Sequence, residues 1–305
     1  MLLPSTTRRA FLSASAACVL GASTPCSFSL PVGIPLGLQL YSCRVALARD
    51  YAGTLQQVSA AGYREVEAAG FFGHTAGEVK TMMASAGLRC IGGHYPLVDL
   101  LKAPDETIAF AKEAGLSCLI CASPSTPDPA RPAAYPGGAW QYLLHQMTAD
   151  DWKWNAEQFN RLGEKVKAAG LRFGYHNHTP EFRDLGGGQK GYDILLANTE
   201  PSLVTFELDC GWAAASGQDA AAILRRYSHR ISLLHLKDLK PAPAGTEPSS
   251  RHSTILGQGV VDYAPILAAA KAANIRQAFI EQEEFDGPVF EALKEDLVNA
   301  RKMMA

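Results

Sequence analysis

The chain has 305 residues, 47% of them hydrophobic, which is ample for a packed core, and a formal net charge of −2. No run of Lys or Arg disturbs that balance, so neither nucleic acid nor an anionic membrane surface is the expected partner. The length fits one large α/β domain or two ordinary ones.

The N-terminus reads differently from the rest. Thr7-Arg8-Arg9-Ala10-Phe11-Leu12 is a twin-arginine pattern, followed by the Ala-rich, weakly apolar run 10–22. It resembles a bacterial Tat signal, which implies handling by the Tat export machinery and a periplasmic or otherwise exported location. The run is too short for a permanent span, so no stable membrane insertion is expected. Residues 1–30 are assigned to signal and linker and 31–305 to a single folded domain. The seven cysteines are an odd number, so at least one thiol stays unpaired within the chain. Cys118-x-x-Cys121 lies in a strand-like run, where positions i and i+3 face opposite sides, whereas a redox pair needs a turn and a helix N-terminus. These cysteines therefore read as small core residues.

From residue 36 onward, apolar strand-like runs alternate with helical spacing. Strands are predicted at 36–41, 63–68, 88–94, 116–122, 171–178, 203–209, 231–237 and 277–281. Helices are predicted at 50–61, 75–86, 105–114, 152–169, 192–198, 219–227, 263–273 and 288–303. Gly62, Gly87, Gly115 and Gly170 close the first four long helices in the same place, as C-caps do. Two connections are long and irregular in composition. One is 123–150, rich in Pro and Gly and carrying Trp140 and Tyr142; the other is 240–254. The first is long enough to be expected to wall or cover a site, or to form a subunit contact. Eight strand–helix pairs in sequence predict a (β/α)8 TIM barrel. An open doubly wound sheet is the other reading, but the first strand ends in Gln39-Leu40-Tyr41-Ser42 and lacks a Gly-rich phosphate loop.

In such a barrel, chemistry gathers at the C-terminal ends of the strands. Those ends carry Gln39, Glu67, His94, then His176, Asn177, His178 and Glu181, then Asp209, then His235 and Lys237, and last Glu281 and Glu283. Polar groups concentrate on strands five to eight. Carboxylates with an imidazole suit a divalent cation such as Mn2+, Mg2+, Co2+ or Zn2+. Each residue also has a structural role open to it. Asp209 could cap a turn, His235 could be a bonded core histidine, and Glu283 and Glu284 could be solvated. Glu67 could pair with Arg64 or Lys80, and Lys237 with Asp238 or Glu207. Trp140, Trp152 and Trp212 suit either core packing or stacking on a sugar ring.

Taken in order, FGYHNHTPEF, FELDCGW, LLHLKD, LGQGVVD and FIEQEEF resemble the xylose isomerase-like sugar phosphate isomerase/epimerase family, over almost the whole chain from about residue 36. The resemblance implies a TIM barrel with a Glu-Asp-His-Glu metal site, here Glu181, Asp209, His235 and Glu281. The YHNH pattern departs from the family's Glu-first strand, so His176 or His178 stands as a replacement or support for Glu181. Gln39, Glu67, His94, His176, His178 and Lys237 are assigned to substrate binding, and Glu181 and Glu281 to proton transfer.

The chemistry implied is proton abstraction beside a carbonyl of a keto-sugar, giving isomerisation or epimerisation. With a leaving group in the β position, the same site performs elimination on a 3-keto-glycoside or an inosose-like substrate. Export argues against a phosphorylated cytosolic sugar. Two further classes remain: an endonuclease IV-like phosphodiesterase, which calls for more histidines and a basic surface, and an exported carbohydrate-binding protein without catalysis.

Overall fold

The computed structural model describes residues 33–305. The twin-arginine segment, Cys18 and Cys26 lie outside the described residues. Within them, the chain forms eight parallel strands. They are β1 (Leu36–Gln39), β2 (Glu65–Ala68), β3 (Arg89–Pro96), β4 (Cys118–Ser123), β5 (Arg172–His176), β6 (Val204–Asp209), β7 (Ile231–Leu236) and β8 (Gln277–Ile280). Each pairs with its neighbours in sequence, and β8 pairs back onto β1, Leu36 with Ala278 through Leu38 with Ile280. That last pairing closes the barrel and excludes the open sheet.

Local chemistry explains the rhythm. Asp50 accepts from Gly53 N at the start of its helix, and Thr75 with Glu78 and Thr148 with Asp151 form capping boxes. The four glycines read as helix stops, Gly62, Gly87, Gly115 and Gly170, all have positive φ, between 67° and 108°. The main core lies between barrel and helices and includes Leu55, Leu119, Phe159, Tyr175 and Phe206. A second, small core fills the barrel itself: Cys118, Ile120, Leu233 and Phe279, with Ile91 against them. Cys118 thus points inward and Cys121 outward, and the five described cysteines are buried free thiols. Gly37 makes room for that plug, since a Cβ there would meet the Phe279 ring at 2.7 Å.

The connections hold more structure than their composition suggests. The stretch read as irregular between 123 and 150 contains helices Ala130–Ala133 and Ala139–Gln146, the second burying Tyr142, Leu143 and Leu144. Pro and Gly upstream hid that helical spacing. The connection after β7 opens and closes as an antiparallel pair, Asp238–Leu239 with Ser253–Thr254. Asp238 then accepts from Leu239, Gly257, Gly259 and Val261 N, which accounts structurally for the LGQGVVD motif. Among the described residues no helix is long and apolar enough to cross a membrane.

Candidate metal centre

The period-2 alternation of β6, β7 and β8 stacks inward side chains in layers. On β7, Leu233 belongs to the apolar plug, His235 lies above it and Lys237 follows. On β8 the sequence is Phe279, Glu281, Glu283; on β6 it is Glu207, Asp209. Above the plug, two polar layers share His235.

The deep layer is an alternating ion network. His235 Nε2 lies 2.9 Å from Glu67 Oε2 and 3.1 Å from Glu207 Oε2. His94 Nε2 approaches the same two oxygens at 2.8 and 2.9 Å. His176 Nδ1 lies 3.1 Å from Glu207 Oε2, and Gln39 Nε2 donates to Glu67 Oε2 at 2.9 Å. The His94 and His235 rings are stacked, 5.3 Å between centroids. Burial opposes charge on His94, but Glu67 and Glu207 outweigh it and raise the imidazole to about 9. His235 is held well above its ordinary value in the same way, against its own burial. Burial and the neighbouring His235 push His176 down to about 3.

The upper layer is richer in carboxylate. His235 Nδ1 lies 2.9 Å from Glu281 Oε2. Lys237 Nζ lies 3.1 Å from the same oxygen, 3.2 Å from Asp209 Oδ2 and 2.5 Å from Glu283 Oε1, and 4.4 Å from the Trp212 ring centroid. Asp209 Oδ1 accepts from Trp212 N at 2.7 Å. Its Oδ2 is buried and has no hydrogen-bonded partner, since Lys237 approaches without bonding geometry. Burial pushes Asp209 and Glu283 upward more than Lys237 pulls them down. Burial would raise Glu281 too, but Lys237 and His235 win there and hold it well below the carboxylate range.

The structure thus brings Asp209, His235 and Glu281 together, and the fourth corner is His176. One donor atom from each of these four lies within 4.8 Å of all the others. Glu181, expected in that corner, is not in the cluster. The Thr179-Pro180 turn carries it away, and its carboxylate is taken up by Tyr175 Oη at 2.5 Å and His178 N at 3.1 Å. It braces the turn that presents His178. A second group of possible donors, His94, His176, Glu207 and His235, shares two imidazoles with the first. Glu207 was not singled out by the sequence reading as a site residue. The signal was present as its position two residues before Asp209, hence on the same face of β6.

Above these layers opens a cavity of about 680 Å³. His94, His176, His178, Glu281 and Glu283 reach it from the barrel, Trp140 from the long connection, and Ser249 to His252 from the connection after β7. Gln39, Glu67 and Lys237, assigned to substrate contact from sequence, are fully buried and do not line it. They hold the residues that do. Trp152 is core, seated against Gly191, while Trp140 and Trp212 flank His178 at ring distances of 5.4 and 6.3 Å. His178 is pushed well below its ordinary value by burial and by His176, and is therefore neutral. Its Nδ1 and Trp212 Nε1 are buried without protein partners.

The donor set fits a divalent cation. Metal–ligand bonds of ~2.0–2.3 Å place opposing ligand atoms about 4–4.6 Å apart, close to the spread of the four donors. The orphaned Asp209 Oδ2 supplies an unspent lone pair among them.

Comparison with known proteins agrees with the architecture. An inosose dehydratase from Lacticaseibacillus casei is 29% identical over 153 residues, 46% of this chain and 49% of that protein. The chain spans about half the length of the curated relatives it matches. The crystal structure of a sugar phosphate isomerase/epimerase from Parabacteroides distasonis superposes with a TM-score of 0.72 at 25% identity, covering 88% of this chain and 99% of that one. A zinc-bound IolI protein, 12% identical, shares the fold with a TM-score of 0.63 over 88% of this chain and 97% of its own. The family model described as xylose isomerase-like TIM barrel matches residues 55–303, and the chain belongs to that family.

Proposed function

We propose that this chain is a divalent-metal-dependent enzyme that labilises the proton beside the carbonyl of a keto-sugar or cyclic polyol ketone. The observation that carries the reading is the convergence of His176, Asp209, His235 and Glu281 beneath a cavity of sugar-binding size. Those four would hold the ion, and their mix of imidazole and carboxylate favours Mn2+, Co2+ or Zn2+ over Mg2+. The ion would supply Lewis-acid polarisation of the carbonyl oxygen.

The remaining work falls to the chain. His178 is neutral and lines the cavity, so it is the proton acceptor we favour. Glu281, kept ionised by Lys237 and His235, is the second proton-handling group. Trp140 and Trp212 form flat walls for a sugar ring.

Isomerisation, epimerisation and elimination share this first step. Likeness to a protein named sugar phosphate isomerase/epimerase supports the first two. Likeness to inosose dehydratases supports elimination of water as the second reading. The test is incubation of metal-loaded protein with a panel of ketoses, inososes and 3-keto-glycosides in D2O. Deuterium entering next to the carbonyl with the skeleton intact supports the first reading, and a conjugated enone product the second. No exchange and no product across the panel, from protein with verified metal content, would sink both.

A further inference from the structure

The connection after β7 brings a cation to the cavity that nothing in the site employs. Arg251 lines the cavity beside Ser249, Ser250 and His252. Its Nη2 donates to Lys240 O at 2.9 Å, which fixes the guanidinium on the loop. Its Nε is buried without a partner, and among the described residues no carboxylate pairs with it. Among the described residues, the hydroxyls of Ser249 and Ser250 make no hydrogen bond. Other cations near the cavity are already committed: Lys237 is enclosed by Asp209, Glu281 and Glu283, and Arg44 donates to Tyr41 O and Glu283 O. The carboxylates on Arg251's side are committed as well. Glu283 is spent on Lys237, and Glu284 Oε2 accepts from Ser253 N and Oγ, while its Oε1 lies 3.8 Å from His252 Nδ1. Asp99, the remaining acidic lining residue, belongs to the connection after β3, four strands around the barrel from β7.

A guanidinium with donors to spare, flanked by two free hydroxyls at the wall of a cavity, matches a planar or tetrahedral oxyanion. Resting on the keto-sugar reading above, we propose that the substrate carries an oxyanion, carboxylate or phosphate, at the end remote from the reacting carbonyl, and that Arg251 with Ser249 and Ser250 is its anchor. The metal centre then fixes one end of the substrate and Arg251 the other. Two-point attachment holds the α-carbon over His178 and discriminates against neutral sugars of the same shape.

Calorimetric titration of the full metal-loaded chain tests this with D-glucuronate and D-galacturonate, with glucose 6-phosphate and galactose 6-phosphate, and with the neutral parents glucose and galactose. At least one acidic sugar should bind about ten- to hundredfold more tightly than its parent at low ionic strength, the worth of a charge-assisted contact. Added salt should shrink that margin. Arg251→Gln should abolish the preference while leaving affinity for the neutral parent unchanged, and Arg251→Lys, which keeps the charge without the fork, should retain part of it. Uronate and phosphate arms reveal which oxyanion is read. Equal affinity for acidic and neutral sugars, or a preference that survives in Arg251→Gln, overturns the anchor. Deuterium exchange on a neutral keto-sugar without any gain from acidity would remove the anchor alone. Failure of every acidic sugar to bind likewise overturns the anchor, and the keto-sugar reading is then decided separately by deuterium exchange on the ketose and inosose panel.

Discussion

The two polar layers of the barrel are built from the same residue types yet solve opposite problems. In the deep layer, two carboxylates, Glu67 and Glu207, face two imidazoles raised toward the cationic form, His94 and His235, and every charge has a counter-charge within 3.1 Å. In the upper layer, Asp209, Glu281 and Glu283 face one ammonium, Lys237. The imbalance shows in Asp209 and Glu283, both pushed upward by burial and by the neighbouring Glu281. A layer short of positive charge is where a divalent cation gains most. A balanced layer gains little and serves to hold its neighbours in place. His235 belongs to both and ties the floor to the site.

The largest effect should come from removing that tie. His235→Ala strips Glu67, Glu207 and Glu281 of a shared partner in a fully buried setting. Leaving buried charges uncompensated costs about 3–5 kcal/mol. Denaturant unfolding of the metal-free protein should show a loss of that order, with metal binding abolished. A loss under about 1 kcal/mol, the scale of an ordinary substitution, would show that the two layers are not coupled through this ring.

Upper-layer changes should separate metal from stability. Asp209→Asn removes a carboxylate that burial already disfavours, so the metal-free fold should tolerate it, whereas Glu281→Gln removes a charge that Lys237 and His235 stabilise and should cost some stability. Metal affinity should fall by at least the ~10–100-fold typical of changes outside the first coordination sphere. Glu283→Gln, outside the four-donor group, should be mild. Titration calorimetry with Mn2+ or Zn2+ decides it. If Glu283→Gln is the variant that loses the ion, the layer has been assigned one step too low on β8.

The deep layer has a pH signature of its own. The folded-state pKa of His94 is raised from 6.5 to about 9, so folding takes up a proton. The stability this supplies is fully present below pH 6.5 and is lost as pH rises through about 9. Metal-free protein should therefore unfold more easily across that window, and His94→Gln should flatten the slope. An unchanged slope in the variant would place the titration elsewhere in the network.

Much of this was legible in the sequence because the barrel repeats. Glycine stops and apolar runs fixed the register of eight units, and that register aligned Asp209, His235 and Glu281 at strand ends. What escaped was whatever depended on direction or depth. Glu181 follows β5 by only a few residues, but a Pro-directed turn carries it out of the cluster, and nothing in spacing alone distinguishes it from His176. Glu207 and Glu67 looked like single polar residues within apolar strands, and only the closed barrel makes them face each other through His94 and His235. From sequence, Lys237 is expected at the substrate or paired with Asp238 or Glu207, and only the closed barrel surrounds it with Asp209, Glu281 and Glu283.

The smallest expected effect comes from a buried carboxylate that stands apart from both layers. Asp296 lies beneath the loop after the β7 connection, where Oδ1 accepts from Leu256 N at 2.7 Å and Oδ2 has no partner. Burial raises it from 3.8 to about 7, with the Leu256 bond opposing. Its folded pKa is raised, so the protein loses stability as pH climbs from about 4 through about 7. Asp296→Asn keeps the shape and the acceptor for Leu256 N but never ionises. The variant should match the parent below about pH 4 and exceed it above pH 7, by about 1–3 kcal/mol, the cost of an unsatisfied buried polar group. Thermal unfolding at the two pH values measures it. Here burial acts with no ammonium or imidazole against it, so Asp296 gives the reference for the upper layer: Asp209→Asn should gain less, because Lys237 already offsets part of the same cost. If Asp296→Asn instead destabilises equally at both pH values, the Oδ2 side of that pocket is better solvated than its packing indicates, and the raised values of Asp209 and Glu283 would then owe more to repulsion from Glu281 than to burial.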